Sequence, residues 1–462
     1  MTRTLITGGL VITASDELHV DVLVEGSRIA ALATPDSHGW TADRVIDATG
    51  KYVIPGGVDA HTHMEMPFGG TMSCDTFETG TRAAAWGGTT TIIDFAIQPR
   101  GGSLRQGVDA WHEKAEGNCA VDYAFHMIIS DVNESTLGQM GALVEAGISS
   151  FKLFAAYPGV FYSDDGQILR AMQRAADIGG LIMMHAENGI AIDVLVEQAL
   201  ARGERDPRHH GEVRHALLEA EATHRVIRLS QVAGAPVYVV HVSAEEAVAE
   251  LVQARDKGLP VFGETCPQYL FLSDDNLAEP DFEGAKYVCS TPLRPREHQA
   301  ALWRGLRTND LQVVSTDHCP FCFKGQKDLG RGDFSKIPNG LPGVEHRMDL
   351  LHQAVVDGHI TRRRWIEIAC AAPARMFGLY PRKGTIAPGA DADVVVYDPH
   401  AEQVLSAGTH HMNVDYSAYE GKRITGRVET VLSRGVPVLE DAAYVGHRGH
   451  GVYVPRGLSQ YS

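Results

Sequence analysis

The sequence predicts an α/β fold, a (β/α)8 TIM-like barrel carrying a small β-sandwich built from both chain ends. Three observations lead there. Apolar runs of strand length alternate with helix-like stretches through the middle of the chain, the signature of repeated βα units. Both ends carry short, glycine-punctuated strands instead. Histidine or aspartate closes several of the middle runs, where the C-terminal edges of parallel barrel strands would converge on one mouth.

At the N-terminal end, TLITGGLVI, VDVLVEGSRIAALA and DRVIDATGKYV alternate apolar with polar residues, as half-buried strands do. The same texture returns in GADADVVVYDP and ETVLSRGVPVLE. Residues 1–52 and 379–462 are therefore expected to form the sandwich, with HRGHGVYVPRGLSQYS as a tail packed elsewhere. Residues 53–378 are the expected barrel. Its strands are read in VIPGGVD, TTTIIDFA, VDYAFHMIIS, SSFKLF, LIMMHAE, VYVVHVS, VFGETCP and LQVVSTDH. Between them lie helix-like stretches such as SLRQGVDAWHEKAEG and AEEAVAELVQARDKG. An open doubly wound sheet would carry a glycine-rich phosphate turn, and neither G-x-G-x-x-G nor a P-loop occurs. Long inserts at 267–310 and 318–350 fall where βα loops carry substrate contacts.

Bulk composition excludes several classes. Hydrophobic residues are 44% and charged residues 21%, an ordinary globular balance. A formal charge of −17 opposes binding to a nucleic-acid backbone and gives no attraction to an anionic membrane. No run of about eighteen apolar residues occurs, so no membrane span is expected. The apolar part of MTRTLITGGLVIT is too short for a secretory signal. Seven cysteines, odd in number and unpatterned, fit a reducing compartment, so the expected address is the cytoplasm. Cys319 and Cys322 form a lone C-x-x-C, read as two loop thiols rather than a zinc or redox motif.

The chemistry sits in six residues. His61 and His63 share a strand face, so both imidazoles can reach one metal ion. His185 and His241 each close a further strand. One such histidine alone is more often a hydrogen-bonded core residue; two in equivalent positions, beside an H-x-H, reverse that reading. Lys152, in Phe151-Lys152-Leu153-Phe154, is a poor core residue because an unpaired buried ammonium is unfavourable. Carboxylation by carbon dioxide would reverse its sign and supply two oxygens able to bridge metals; a lysine reaching out past the strand end is the competing reading. Asp317 closes the last strand and could bind a metal and take a proton from water, or cap a helix. His318 is its rival but should point the other way.

These motifs resemble the amidohydrolase superfamily, in its dihydropyrimidinase and D-hydantoinase branch. The similarity runs through VIPGGVDAHTH, KLFAAYPG, MMHAEN, HVSAEEA, GETCPQYL, YVCSTPLR, STDHCPF, GQKDLGRGDFSKIPNGLPGVEHRM and GTIAPGADADVVVYDP. It implies two divalent metal ions per subunit, with zinc the expected element, and a homotetramer. His61, His63 and Asp317 resemble ligands of the first ion and His185 and His241 of the second, with carboxylated Lys152 bridging. Tyr157 resembles the tyrosine that donates to the developing oxyanion. Ser290 and Asn339 resemble positions whose backbone groups hold the ring amide. The implied reaction is hydrolytic opening of a cyclic amide, a 5,6-dihydropyrimidine or 5-substituted hydantoin, to an N-carbamoyl amino acid. A metal-bridging hydroxide attacks, and Asp317 moves the proton.

Departures narrow the branch. Dihydroorotases place an arginine soon after H-x-H; here that stretch is Met64-Glu65-Met66-Pro67-Phe68. Met64 and Met66 are too apolar for an allantoinase pattern, although Glu65 keeps that alternative open. Met64, Met66, Phe154, Tyr157 and Phe161 are expected to form an apolar gate over the ring substituent. Scaffold relatives keep the fold without the ligands; all six ligand positions are present here, which places a partner-binding scaffold second.

Overall fold

Each of the eight predicted runs overlaps a strand of one parallel sheet. In order these are Gly57–Thr62, Thr89–Ile97, Asp122–Ile128, Ser150–Phe154, Leu181–His185, Val237–Val239, Val261–Thr265 and Val313–Val314. The computed structural model describes residues 2–35 and 37–461. The end positions of the predicted sandwich, Met1 and Ser462, lie outside them. Every strand pairs with its sequence neighbour, and a parallel bridge between Thr62 and His318 joins the last to the first. The result is a TIM-like barrel. Its strands are near-continuous apolar runs because helices cover the outer face while side chains fill the inside; Thr89–Ile97, TTTIIDFAI, is buried along all but its final residue.

The two surveyed helix stretches form as read. Leu104–Ala115 opens with a capping box in which Ser103 and Gln106 each satisfy the other's backbone N–H. Glu245–Asp256 follows the sixth strand and places two glutamates in its first turn, where the helix dipole favours them.

The run VIPGGVD divides at its glycines. Tyr52–Pro55 pairs with the terminal strands Leu10–Ile12 and Val394–Val404, while Gly57 starts the barrel. A Cβ on Gly56 would lie 2.1 Å from Thr90 Oγ1, so only glycine lets the chain cross this closely from one sheet to the other. The terminal strands form a four-stranded and a seven-stranded sheet. Ile6, Val11, Val22 and Val24 pack there against Ile386, Val394, Val396 and Leu432. The sandwich is therefore built from both ends of the chain.

Lys383 ties this unit to the barrel, reaching Asp122 at 2.6 Å, Asp393 at 2.7 Å and Asp391 at 3.0 Å. The tail packs under the barrel. Val454 N donates to the Tyr123 carbonyl at 2.8 Å, and Arg456 Nη2 reaches the Phe125 carbonyl at 2.6 Å. Among the described residues no helix is long and apolar enough to cross a membrane.

Candidate metal centre

Strands six and eight end well before their sequence runs do, and both departures serve one cluster. Strand six stops at Val239, and His241 follows with φ of +39°. Strand eight stops at Val314, and Asp317 follows with φ of +51°. Tyr157, after strand four, has φ of +62°. Left-handed backbone is unfavourable at non-glycine residues and gathers where side chains must be aimed. Asp59 holds strands one and eight together beneath this point. Its carboxylate accepts from Thr316 N at 3.1 Å and Thr316 Oγ1 at 2.6 Å, which sets Asp317 beside His61.

Asp317 Oδ1 stands 3.1 Å from His61 Nε2 and 3.2 Å from His63 Nε2. Lys152 Nζ is 2.9 Å from the same His61 nitrogen. His185 Nδ1 and His241 Nε2 face each other at 2.9 Å. All six side chains are buried or nearly so. The six residues singled out in the sequence thus converge. His318 turns away: its Nε2 meets Asp75 at 3.0 Å and its Nδ1 accepts from Gly343 N at 3.0 Å. The donor set fits divalent metal. Three ligand atoms, from His61, His63 and Asp317, surround one point, and two imidazole nitrogens face each other without a carbonyl or carboxylate between them.

Charge is arranged to match. Burial draws His63 down to about 3, so its imidazole is neutral and free to bind metal. Burial also pulls the Lys152 ammonium down to about 8, against the pull of Asp317 and Glu264. Burial would raise Asp317, but the charge of His61 and hydrogen bonds from His61 and His63 hold it well below the usual carboxylate range.

Two carboxylates behind the histidines escaped the sequence reading. Glu264 meets His61 Nδ1 through one oxygen and accepts from Tyr238 Oη at 2.9 Å through the other. Glu187 Oε2 meets His185 Nε2 at 2.8 Å and Arg214 Nη1 at 2.9 Å. Both had a legible signal: Glu264 lies in the apolar run VFGETCP, and Glu187 stands two residues after His185. Such partners fix which nitrogen of a ligating imidazole faces the metal. A further carboxylate cluster, Asp122 with Asp391 and Asp393, already encloses the Lys383 cation.

The cavity over the cluster is lined by Met66, Phe68, Phe154, Tyr157 and Phe161, together with Ser290 and Asn339. Met64 is turned into the core instead, against Gly80, and Phe68 takes its expected place. Asn339 Nδ2 donates to Ser290 Oγ at 2.9 Å, and both residues hydrogen-bond with Tyr157. Burial pushes Tyr157 up to about 12, opposed by the Arg214 charge and by those hydrogen bonds, so the hydroxyl keeps its proton at neutral pH. Phe68, Tyr157 and Asn339 also border an outer chamber of about 580 Å³. The C-x-x-C divides: Cys319 lines the cavity, whereas the Cys322 thiol contacts Cys74.

A barrel whose strand ends gather histidines, an aspartate and a buried lysine defines the class of metal-dependent hydrolases. The Amidohydrolase family model matches residues 52–438, and the chain belongs to that family. A D-hydantoinase of Streptomyces coelicolor is 82% identical over 462 residues, 99% of either chain. One from Geobacillus stearothermophilus is 49% identical, spanning 98% of this chain and 96% of that one. The crystal structure of dihydropyrimidinase from Brevibacillus agri superposes with a TM-score of 0.97 at 48% identity, covering 99% of both chains.

Proposed function

We propose that the protein opens cyclic amides by hydrolysis, taking D-5-substituted hydantoins and 5,6-dihydropyrimidines to N-carbamoyl amino acids. The observation that carries this is the meeting of His61, His63, Lys152, His185, His241 and Asp317 under a cavity that also holds Tyr157, Ser290 and Asn339. The high identity to proteins named D-hydantoinase supports the substrate class and the hand.

In this reading His61, His63 and Asp317 would hold one divalent ion, with zinc the expected element, His185 and His241 would hold a second, and Lys152, as its carbamate, would supply oxygen ligands to the centre. The neutral amine of Lys152 adds carbon dioxide, forming an N–C bond and releasing one proton. When bound, such a pair of ions lowers the pKa of water and polarises the ring carbonyl. Backbone groups of Ser290 and Asn339 hold the ring amide in register with Asp317. Asp317 takes the proton of the attacking water and returns it to the leaving ring nitrogen. Tyr157 donates its hydroxyl proton in a hydrogen bond to the oxyanion as the carbonyl carbon becomes tetrahedral. The aromatic wall of Phe68, Phe154 and Phe161 excludes water around the ring substituent. Family resemblance adds a cytoplasmic homotetramer to this reading, and light scattering of the purified chain gives its subunit count.

The deciding experiment is ring opening by zinc-loaded protein with bicarbonate present. It compares kcat/KM for D- and L-5-phenylhydantoin, dihydrouracil, allantoin and dihydroorotate. Turnover confined to the D-hydantoin and dihydrouracil is expected. Preference for allantoin or dihydroorotate would overturn the substrate assignment, and silence on every ring with metal bound would overturn the activity.

A further inference from the structure

Behind the loops that carry Ser290 and Asn339 lies a buried lysine outside the metal centre. Lys327, in the GQKDLG stretch, is fully buried. Its Nζ donates to the carbonyls of Val288 at 2.8 Å and Pro338 at 3.1 Å. Val288 comes two residues before Ser290, and Pro338 immediately before Asn339. The Val288 carbonyl also accepts from Gly340 N at 3.0 Å, so three segments meet at one oxygen.

The ionisable groups around this ammonium include the thiols of Cys289, Cys319 and Cys74 and the imidazole of His210, which burial keeps neutral, and burial brings the lysine's pKa down to about 7. A cation in such surroundings is unfavourable, and a methionine of similar length would sit there at lower free energy. The two carbonyls give the lysine a use that methionine cannot supply.

We propose that Lys327 is a positioning residue for the substrate: its Nζ donors join the 288–290 and 338–340 segments and fix the spacing of the backbone groups that hold the ring amide. This rests on the reading of Ser290 and Asn339 given above. The metal-site side chains stand on barrel strands or directly after them, not on these segments. Losing the link therefore loosens ring binding while the metal-site side chains stay in place, and Tyr157, through its hydrogen bonds with Ser290 and Asn339, takes the smaller share of the loss.

The test compares zinc-loaded wild type with Lys327→Met on D-5-phenylhydantoin. The expected result is a KM raised about tenfold, kcat within about threefold, unchanged metal content and a higher Tm. Lys327→Gln, a shorter neutral donor, should fall between the two and keeps the test open if the methionine variant fails to fold. Unchanged KM with a lower Tm in either variant would make Lys327 purely structural and overturn the proposal. Wild-type silence on all the cyclic amides would bring down the functional reading as well, so the two failures are distinguishable.

Discussion

Glu187 meets Nε2 of His185 at 2.8 Å, and that contact leaves Nδ1 as the nitrogen facing His241. Arg214 holds the same carboxylate oxygen at 2.9 Å, so the imidazole is set by a chain of two charged groups. Replacing Glu187 by glutamine removes the charge and lets the ring change tautomer. On the proposed two-ion reading, affinity for the ion assigned to His185 and His241 should fall by about 10- to 100-fold, while the site of His61, His63 and Asp317 is spared. Competition with a chromogenic chelator reads both sites. Equal loss at both would mean that Glu187 supports the barrel rather than His185.

Tyr157 is held with φ of +62°, its hydroxyl in hydrogen bonds with Ser290 and Asn339. The Tyr157→Phe variant keeps the ring and loses the donor. Its kcat should drop by about 10²- to 10³-fold, the range for one oxyanion donor, with metal content unchanged. A loss confined to KM would move Tyr157 from the oxyanion to substrate packing.

The barrel was legible because parallel strands covered on both faces are plain apolar runs, and the metal-type residues follow them at equivalent positions. Strand alternation suggests that Asp317 and His318 point apart, but the strand ends at Val314 and it is the left-handed turn at Asp317 that separates them. The direction of Met64 could not be read, because it depends on Gly80 in the helix opposite, a contact with no local signature. The break within VIPGGVD was equally hidden, since both halves read as strand and only the pairing partners separate them. Lys327 stood in a quoted motif, yet nothing nearby in sequence marks the carbonyls of Val288 and Pro338 as its acceptors.

Lys152 should carry carbon dioxide in the working enzyme. Protein reconstituted with zinc and ¹³C-bicarbonate is expected to show a carbamate carbon resonance. Lys152→Ala should lack that signal and bind less metal. Full metal loading in the alanine variant would remove Lys152 from the centre.

Lys383 neutralises three buried carboxylates at the junction of barrel and sandwich. A methionine there would leave Asp122, Asp391 and Asp393 facing one another, with Arg434, Arg382 and Arg28 as the remaining cations. Breaking a buried pair from one side is destabilising by about 3–5 kcal/mol. Lys383→Met should therefore unfold at clearly lower temperature in a thermal scan. A Tm equal to wild type would mean that the arginines or solvent already compensate.

Lys327 also predicts a pH dependence. Burial lowers its pKa to about 7 from an ordinary 10.5, and the groups facing it include the thiols of Cys289, Cys319 and Cys74 and the His210 imidazole, which burial draws down to about 3, so that it is neutral and does not titrate between these values. Between these values the unfolded chain binds a proton that the native chain does not, so this lysine's contribution to stability rises with pH. Below about pH 7 both states are protonated, and the full penalty of burying the charge is present. The Tm advantage of Lys327→Met over wild type should thus be largest near neutral pH and shrink towards pH 10.5. A gap that stays constant across that range would show that Lys327 keeps its proton in the folded protein, with the two carbonyls outweighing its burial.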